Sequence, residues 1–172
     1  MSTQLKLHAA ALALSMSFLA APAFAAGGES SGDPAQCKQG EVYDKEQKKC
    51  VQKSSAVDDD SLFETGRAYA YAGRYGEAIE VLGLVSNKND PRVLNMLGFS
   101  HRKSGRIDVG VGYYEEALAL NPDHRGALEY QGELFLKIGQ PEKARANLDR
   151  LKALCGDCEE AGDLAEALAS GG

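Results

Sequence analysis

Apolar residues recur at helical spacing across residues 60–154, and one order of small and large residues occurs three times in that span. Each copy has a glycine in a first apolar segment, a second glycine seven residues later, a small residue and then a bulky one. Equivalent positions are 32 residues apart between the first two copies and 34 apart between the last two. In chain order these positions are Gly66, Gly98 and Gly132; Gly73, Gly105 and Gly139; Ala78, Gly110 and Ala144; and Leu82, Tyr114 and Leu148.

This pattern predicts three pairs of helices, each joined by a turn. The first glycine has no Cβ, so a neighbouring helix can approach it closely. The second glycine suits the end of a helix, where a left-handed residue is usually needed. A single pair cannot bury its apolar face, so we expect the pairs to stack into an all-α solenoid.

A further helix is predicted after the third pair. The apolar stripe in this last segment follows the spacing i, i+3, i+4 and i+7 and consists of Ala161, Leu164, Ala165 and Leu168. The acidic pair Glu159 and Glu160 would lie in the first turn, where the helix dipole favours negative charge. We interpret residues 155–170 as a helix that covers the open end of the solenoid.

The N-terminus carries the pattern of a cleavable secretory signal. Residues 1–25 contain one basic residue, an apolar run too short to span a membrane and a final Ala-Phe-Ala. We therefore expect cleavage after Ala25, a periplasmic location and no membrane insertion afterwards. The remaining chain would have 18 basic and 25 acidic residues, a net charge of −7. Such an acidic chain is a poor candidate for binding nucleic acid, which requires a basic surface.

Four cysteines remain, and an even number in an exported chain favours disulfides. Local pairing of Cys37 with Cys50 and of Cys155 with Cys158 is the simplest of three possible arrangements. The first bridge would close a small hairpin at residues 37–51, between a flexible leader at 26–36 and a linker at 52–59.

The segment Cys155-Gly156-Asp157-Cys158 permits three interpretations. The first is a structural bridge at the joint between two helices. The second is a redox pair, but neighbouring acids raise a thiol pKa and no strand pattern surrounds it. The third is half of a metal site, which lacks the two further ligands it needs. We favour the structural bridge and keep thiol–disulfide exchange as the alternative function.

No catalytic motif stands out, so we expect no enzymatic activity, no cofactor and no metal. His101 has no paired base or ligand in sequence and is interpreted as a packing residue. With the predicted end helix in place, we expect a monomer or a weak oligomer.

The repeat pattern resembles the tetratricopeptide repeat family across residues 59–154, most closely in the second copy, which ends at Pro122. Departures are His101 where an aromatic residue is usual, Gly110 where alanine is usual, and a first copy that is two residues short. The resemblance implies a right-handed solenoid whose first helices line a concave groove for a peptide or helix of a partner protein.

Carrying the groove positions of the family onto this sequence gives a predicted binding site. The first helix of the second unit has three cations, an asparagine and a phenylalanine. A partner segment with carboxylates and one apolar anchor would suit it. The predicted groove residues are Phe63, Arg67 and Tyr71 in the first unit, Arg92, Asn95, Phe99, Arg102 and Lys103 in the second, and Glu129, Glu133 and Lys137 in the third, with Asp60, Ala70, Gly126 and Leu136 at matching positions.

Overall fold

The structure is a computed structural model that describes residues 32–171. The predicted signal peptide and residues 26–31 of the predicted leader lie outside this range. No helix within it is both long and apolar enough to cross a membrane.

Helices account for most of the described chain, in the order that the repeat pattern predicted. Three helical hairpins are followed by one more helix that packs on the third hairpin. The helices are α1 Asp59–Tyr71, α2 Tyr75–Leu82, α3 Pro91–Lys103, α4 Ile107–Leu120, α5 Arg125–Lys137, α6 Pro141–Cys155 and α7 Glu159–Ser170. The turn glycines Gly73, Gly105 and Gly139 have φ values of +77°, +85° and +73°, which explains why glycine ends the first helix of every pair.

The inner glycines lie where two helices touch. A Cβ on Gly66 would lie 2.6 Å from Leu82, and a Cβ on Gly98 would lie 2.7 Å from Tyr114. These contacts join the first glycine of a unit to the bulky residue of the same unit. In the third unit the nearest side chain to the glycine is instead Leu164 of α7. The last helix therefore packs directly into the third hairpin.

The shortened first unit has a short second helix. Helix α2 has 8 residues, whereas α4 has 14 and α6 has 15. Gly83 and Leu84 form a turn directly after it, and residues 83–90 connect α2 to α3. A cavity of about 360 Å³ lies between α2, α3 and α4. The two missing residues thus shorten the second helix of the first unit, whereas the turn after it is longer than the turn after the second unit.

A two-stranded antiparallel sheet precedes the helices. Strand β1 is Glu41–Asp44, strand β2 is Lys49–Gln52, and a Cys37–Cys50 disulfide closes the hairpin as predicted. The end of the predicted flexible leader differs from expectation, because Pro34–Gln36 forms a 3-10 helix. Asp33 caps that turn by accepting a hydrogen bond from the Ala35 N–H at 2.9 Å.

Polar contacts attach the hairpin to α1. The buried hydroxyl of Tyr69 donates to the Glu41 carbonyl at 2.7 Å. The hydroxyls of Thr65 and Ser61 accept hydrogen bonds, each 3.0 Å long, from backbone N–H groups at the end of β1 and just after it. An isolated hairpin of two strands is marginal in water. Here α1 supports it together with the disulfide.

Candidate functional site: the concave groove

A cavity of about 430 Å³ opens on the concave side of the helical array. It is formed by the first helices of the three units, α1, α3 and α5, and by the N-terminal part of α7. The residues that line it are Phe63, Arg67, Tyr71, Arg92, Asn95, Met96, His124, Gly126, Glu129, Tyr130, Glu159, Glu160 and Asp163.

The predicted groove residues divide into two sets. Those that line this cavity are Phe63, Arg67, Tyr71, Arg92, Asn95 and Glu129, joined by Gly126 among the matching positions. Those that do not are Phe99, Arg102, Lys103, Glu133 and Lys137. The second set lies nearer the C-terminal ends of α3 and α5, so the structure does not bring all eleven positions into one site.

An aromatic contact across the array accounts for this division. The hydroxyls of Tyr71 on α1 and Tyr130 on α5 lie 3.2 Å apart. Between them Phe99 packs edge-on against Tyr71, with ring centroids 5.7 Å apart, and tilted against Tyr130 at 5.1 Å. Phe99 is thus largely buried beneath the two tyrosines, whereas Tyr71 remains 58% exposed.

Arg102 was expected to be an available groove cation, but the structure places it in the interior. It is 6% exposed, and its guanidinium lies 2.7 Å from the Glu133 carboxylate. The same guanidinium is within 5.8 Å of the ring centroids of Phe99 and Tyr130. The positive charge of Arg102 is therefore paired with Glu133 inside the protein. Of the three cations on α3, only Arg92 lines the cavity.

Both arginines of the cavity are already paired with acids. Arg67 lies 2.7 Å from Glu64, one turn away on α1. Arg92 lies 2.7 Å from Asp90 and also stacks over the Phe63 ring at 4.8 Å. The pKa of Asp90 is lowered by its hydrogen bond to this arginine. The basic side of the groove consequently carries little unbalanced charge.

The opposite side is acidic, and its acids come from α5 and α7. Glu129 is 8% exposed, and burial together with the nearby carboxylates of Glu133, Asp163 and Glu160 raises its pKa to about 8. Within the described residues neither Glu129 nor Asp163 forms an ion pair, while Glu160 lies 3.5 Å from Arg125.

Two neutral polar residues complete the cavity. The Asn95 side chain is 5% exposed, and its Oδ1 accepts no hydrogen bond from the described part of the chain. His124 caps α5, since its Nδ1 accepts a hydrogen bond from the Ala127 N–H at 3.1 Å, and burial lowers its pKa.

Sequence reasoning did not select several cavity residues: Met96, His124, Tyr130, Glu159, Glu160 and Asp163. The repeat spacing could have identified two of them, Glu160 and Asp163, because it continues into α7. Two series of cavity residues keep a separation of 34: Arg92, Gly126 and Glu160, and Asn95, Glu129 and Asp163. Glu160 therefore lines the groove in addition to lying in the first turn of α7.

The Cys155–Cys158 segment connects α6 to α7, and its two cysteines form a disulfide. Their sulfur atoms and a Glu160 carboxylate oxygen lie within 4.8 Å of one another, but the sulfurs are bonded to each other. The bridge holds the start of α7, and with it Glu159 and Glu160, next to the groove.

His101 lies away from the cavity. It is 9% exposed, stacks on Tyr113 with ring centroids 5.3 Å apart, and burial lowers its pKa. This environment agrees with its interpretation as a packing residue.

Stacked helical hairpins with a concave groove define the class of α-solenoid repeat proteins. Residues 95–157 match the model of the tetratricopeptide repeat family, and the fold of the described residues is that of a tetratricopeptide repeat array. No curated protein sequence matches it.

Solved structures with this fold include three with close overall similarity. The first tetratricopeptide domain of Spaghetti (RPAP3), bound to the HSP90 peptide SRMEEVD, has a TM-score of 0.56 at 22% identity and covers 68% of this chain and 98% of its own. The type III secretion translocator chaperone SycD of Yersinia enterocolitica has a TM-score of 0.58 at 20% identity, covering 68% and 91%. PcrH in complex with the chaperone binding region of PopB has a TM-score of 0.55 at 17% identity, covering 66% and 93%.

Proposed function

We propose that this protein is a non-catalytic interaction module that binds an extended peptide or a helix of a partner protein in its concave groove. The observation that carries the proposal is the open cavity formed by α1, α3, α5 and α7, with aromatic and polar side chains directed to one surface. The similar folds of Spaghetti and PcrH, which hold segments of other proteins, support this use of the array.

The chemistry of the cavity suits a polypeptide better than a small apolar ligand. Tyr71 offers an exposed ring for an apolar anchor, and Asn95 offers a carbonyl oxygen that has no hydrogen-bond donor in the part of the chain that the structure describes. A bound segment needs partners for its own N–H and C=O groups, because burying them unpaired costs free energy. Hydrogen-bonding groups beside an aromatic surface meet both requirements.

We place this function in the periplasm, where the predicted signal peptide would direct the chain. Two disulfides within the described residues support an oxidising compartment. N-terminal sequencing of protein from the periplasmic fraction should begin at Ala26. A mature protein that begins at Met1 and stays in the membrane fraction would contradict this placement.

A peptide selection tests the groove. The disulfide-bonded chain would be used to select binders from a phage library of random twelve-residue peptides, and the best peptide would be synthesised with a fluorescent label. We expect Tyr71→Ala to weaken its binding by about tenfold or more, which is typical of removing a central aromatic anchor.

Leu120→Ala is the matched control for this variant. Leu120 is 51% exposed, similar to Tyr71, but lies on α4 and does not line the cavity. Binding that responds equally to both substitutions, or a library that yields no groove-dependent peptide, would contradict the proposed function.

A further inference from the structure

The charges around the cavity are balanced on one side and unbalanced on the other. Its two arginines each have a carboxylate 2.7 Å away. Of its four acids, Glu160 alone has a cation within 4 Å among the described residues, at 3.5 Å. A partner that fills the cavity would therefore meet unpaired negative charge on the α5 and α7 side.

Glu129 is the most enclosed of these acids. It projects from the middle of α5 into the cavity and is 8% exposed. The charged groups that act on it are Glu133 on its own helix, Glu160 and Asp163 on α7, and Arg102 on α3. Arg102 is already paired with Glu133, so among the described residues Glu129 has no ion-pair partner of its own.

Asn95 gives an independent indication of what binds there. Its side chain is 95% removed from solvent, yet its Oδ1 finds no donor in the described residues. An unpaired buried carbonyl oxygen costs free energy unless a ligand supplies an N–H or O–H. This amide oxygen and the carboxylates in their ionised form are acceptors, so the partner that pairs with all of them is a donor with positive charge.

A bound metal ion fits this arrangement poorly. Calcium takes six to eight oxygen ligands at short distances. Among the described residues, no three carboxylates of the cavity each bring an oxygen atom within 4.8 Å of the other two. Acceptors spread over a cavity of about 430 Å³ suit a larger organic cation with several donor hydrogens.

We propose that the cavity binds a lysine or arginine side chain of the partner segment. The head group donates to the carboxylates of Glu129 and Asp163 and to Asn95 Oδ1, while the aliphatic stem lies along Met96 and Tyr130. This proposal rests on the proposed function and specifies its partner: a segment with a basic residue at its centre, in contrast to the acidic segment expected from the sequence.

The selected peptides test this specificity directly. We expect one position of the groove-binding peptides to be enriched in lysine or arginine. Replacing that residue by norleucine, which keeps the stem and removes the charge, should weaken binding to the wild type by about tenfold. Glu129→Gln and Asp163→Asn should each weaken the basic peptide severalfold and leave the norleucine peptide almost unchanged.

The pH dependence provides a second readout. Since the pKa of Glu129 is about 8, raising the pH from about 6.5 to 8.5 ionises it and should strengthen binding of the basic peptide several-fold. This increase should disappear in Glu129→Gln. His124 has a lowered pKa and is neutral over most of this range, so it contributes little.

Glu166→Gln is the matched control, because Glu166 is an exposed acid of α7 that does not line the cavity. If Glu129→Gln unfolds the chain, as judged by circular dichroism, Asp163→Asn tests the inference instead, because Asp163 is exposed and its replacement should not disturb the fold. Groove-binding peptides without a basic position would overturn this inference and leave the proposed function standing. Calcium that stabilises the wild type but not Asp163→Asn would assign the acids to a metal and would also overturn it.

Discussion

The two ends of the helical array are closed in different ways. Each end has a cap with a disulfide, Cys37–Cys50 in the N-terminal hairpin and Cys155–Cys158 before α7. Hydrogen bonds such as that from Tyr69 to the Glu41 carbonyl dock the hairpin on α1. The hairpin also contributes a fully buried Val42 to the core around α1, and α7 packs on the third hairpin through apolar side chains that include the fully buried Leu164.

This difference separates stability from function. The hairpin lies outside the concave cavity, so it serves to cover the first helix. Helix α7 covers the third hairpin and also contributes Glu159, Glu160 and Asp163 to the cavity wall. We therefore expect damage at the C-terminal cap to affect both stability and binding, and damage at the N-terminal cap to affect stability alone.

Truncation of Leu164 should have the largest effect. Its side chain is fully buried and lies against Gly132, which cannot fill the space left behind. We expect Leu164→Ala to lower the free energy of unfolding by about 3–5 kcal/mol and to weaken the selected peptide, because α7 would dock less firmly. Urea denaturation and fluorescence binding would measure the two effects.

Leu154→Ala is the control, since Leu154 is 39% exposed on α6. Unchanged peptide binding by a folded Leu164→Ala variant would show that α7 does not shape the groove, and the contrast between the two ends would fail.

Removal of the disulfides should have the next largest effect. The chain-entropy model gives about 3 kcal/mol for the bridge that joins residues 13 apart, Cys37 and Cys50, and about 2 kcal/mol for the bridge that joins residues three apart, Cys155 and Cys158. The Cys37→Ser/Cys50→Ser variant should thus lose more stability. Only Cys155→Ser/Cys158→Ser should also lose peptide affinity.

The same variants test the alternative function. As a structural bridge, the Cys155–Cys158 disulfide should have a reduction potential below about −300 mV, and the protein should not catalyse insulin reduction. Turnover that disappears in Cys158→Ser would instead assign thiol–disulfide exchange to this end of the array.

Glu129 should give stability a pH dependence that originates at the C-terminal side. Its folded pKa of about 8 lies above the ordinary value of 4.5, so folding disfavours its ionised form. The stability associated with the protonated carboxyl is complete below about pH 4.5 and is lost as the pH rises to about 8, with a slope of at most about 1.4 kcal/mol per pH unit.

Glu129→Gln should flatten this part of the stability curve, as thermal unfolding at several pH values between these limits would show. Cys37→Ser/Cys50→Ser should keep the wild-type slope, because that bridge is remote from Glu129. An equal slope in wild type and Glu129→Gln would mean that the carboxyl is not significantly destabilised in the folded state.

The repeat spacing was sufficient to predict the helices, since small and bulky residues at fixed intervals reflect contacts within each unit. Gly98 and Tyr114 illustrate this, because the ring occupies the space that a Cβ would need. The availability of each groove residue was harder to predict. Arg102 has a groove position in the pattern, but its burial depends on Glu133 and on two aromatic rings brought together by the fold. Side-chain pairing across helices leaves no periodic signal.

The smallest predicted effect concerns a single hydrogen bond of the N-terminal cap. The Tyr69 hydroxyl donates to the Glu41 carbonyl at 2.7 Å, and the ring also supports the Arg74 guanidinium at 3.7 Å. Tyr69→Phe keeps the ring and removes the donor, so we expect a loss of about 1 kcal/mol in the free energy of unfolding and unchanged peptide affinity. Tyr71→Phe should instead leave the free energy of unfolding almost unchanged and weaken peptide binding, because Tyr71 is exposed in the groove. If Tyr69→Phe weakened peptide binding as much as stability, the hairpin would be coupled to the groove through α1, and the N-terminal cap would share the dual role assigned to α7.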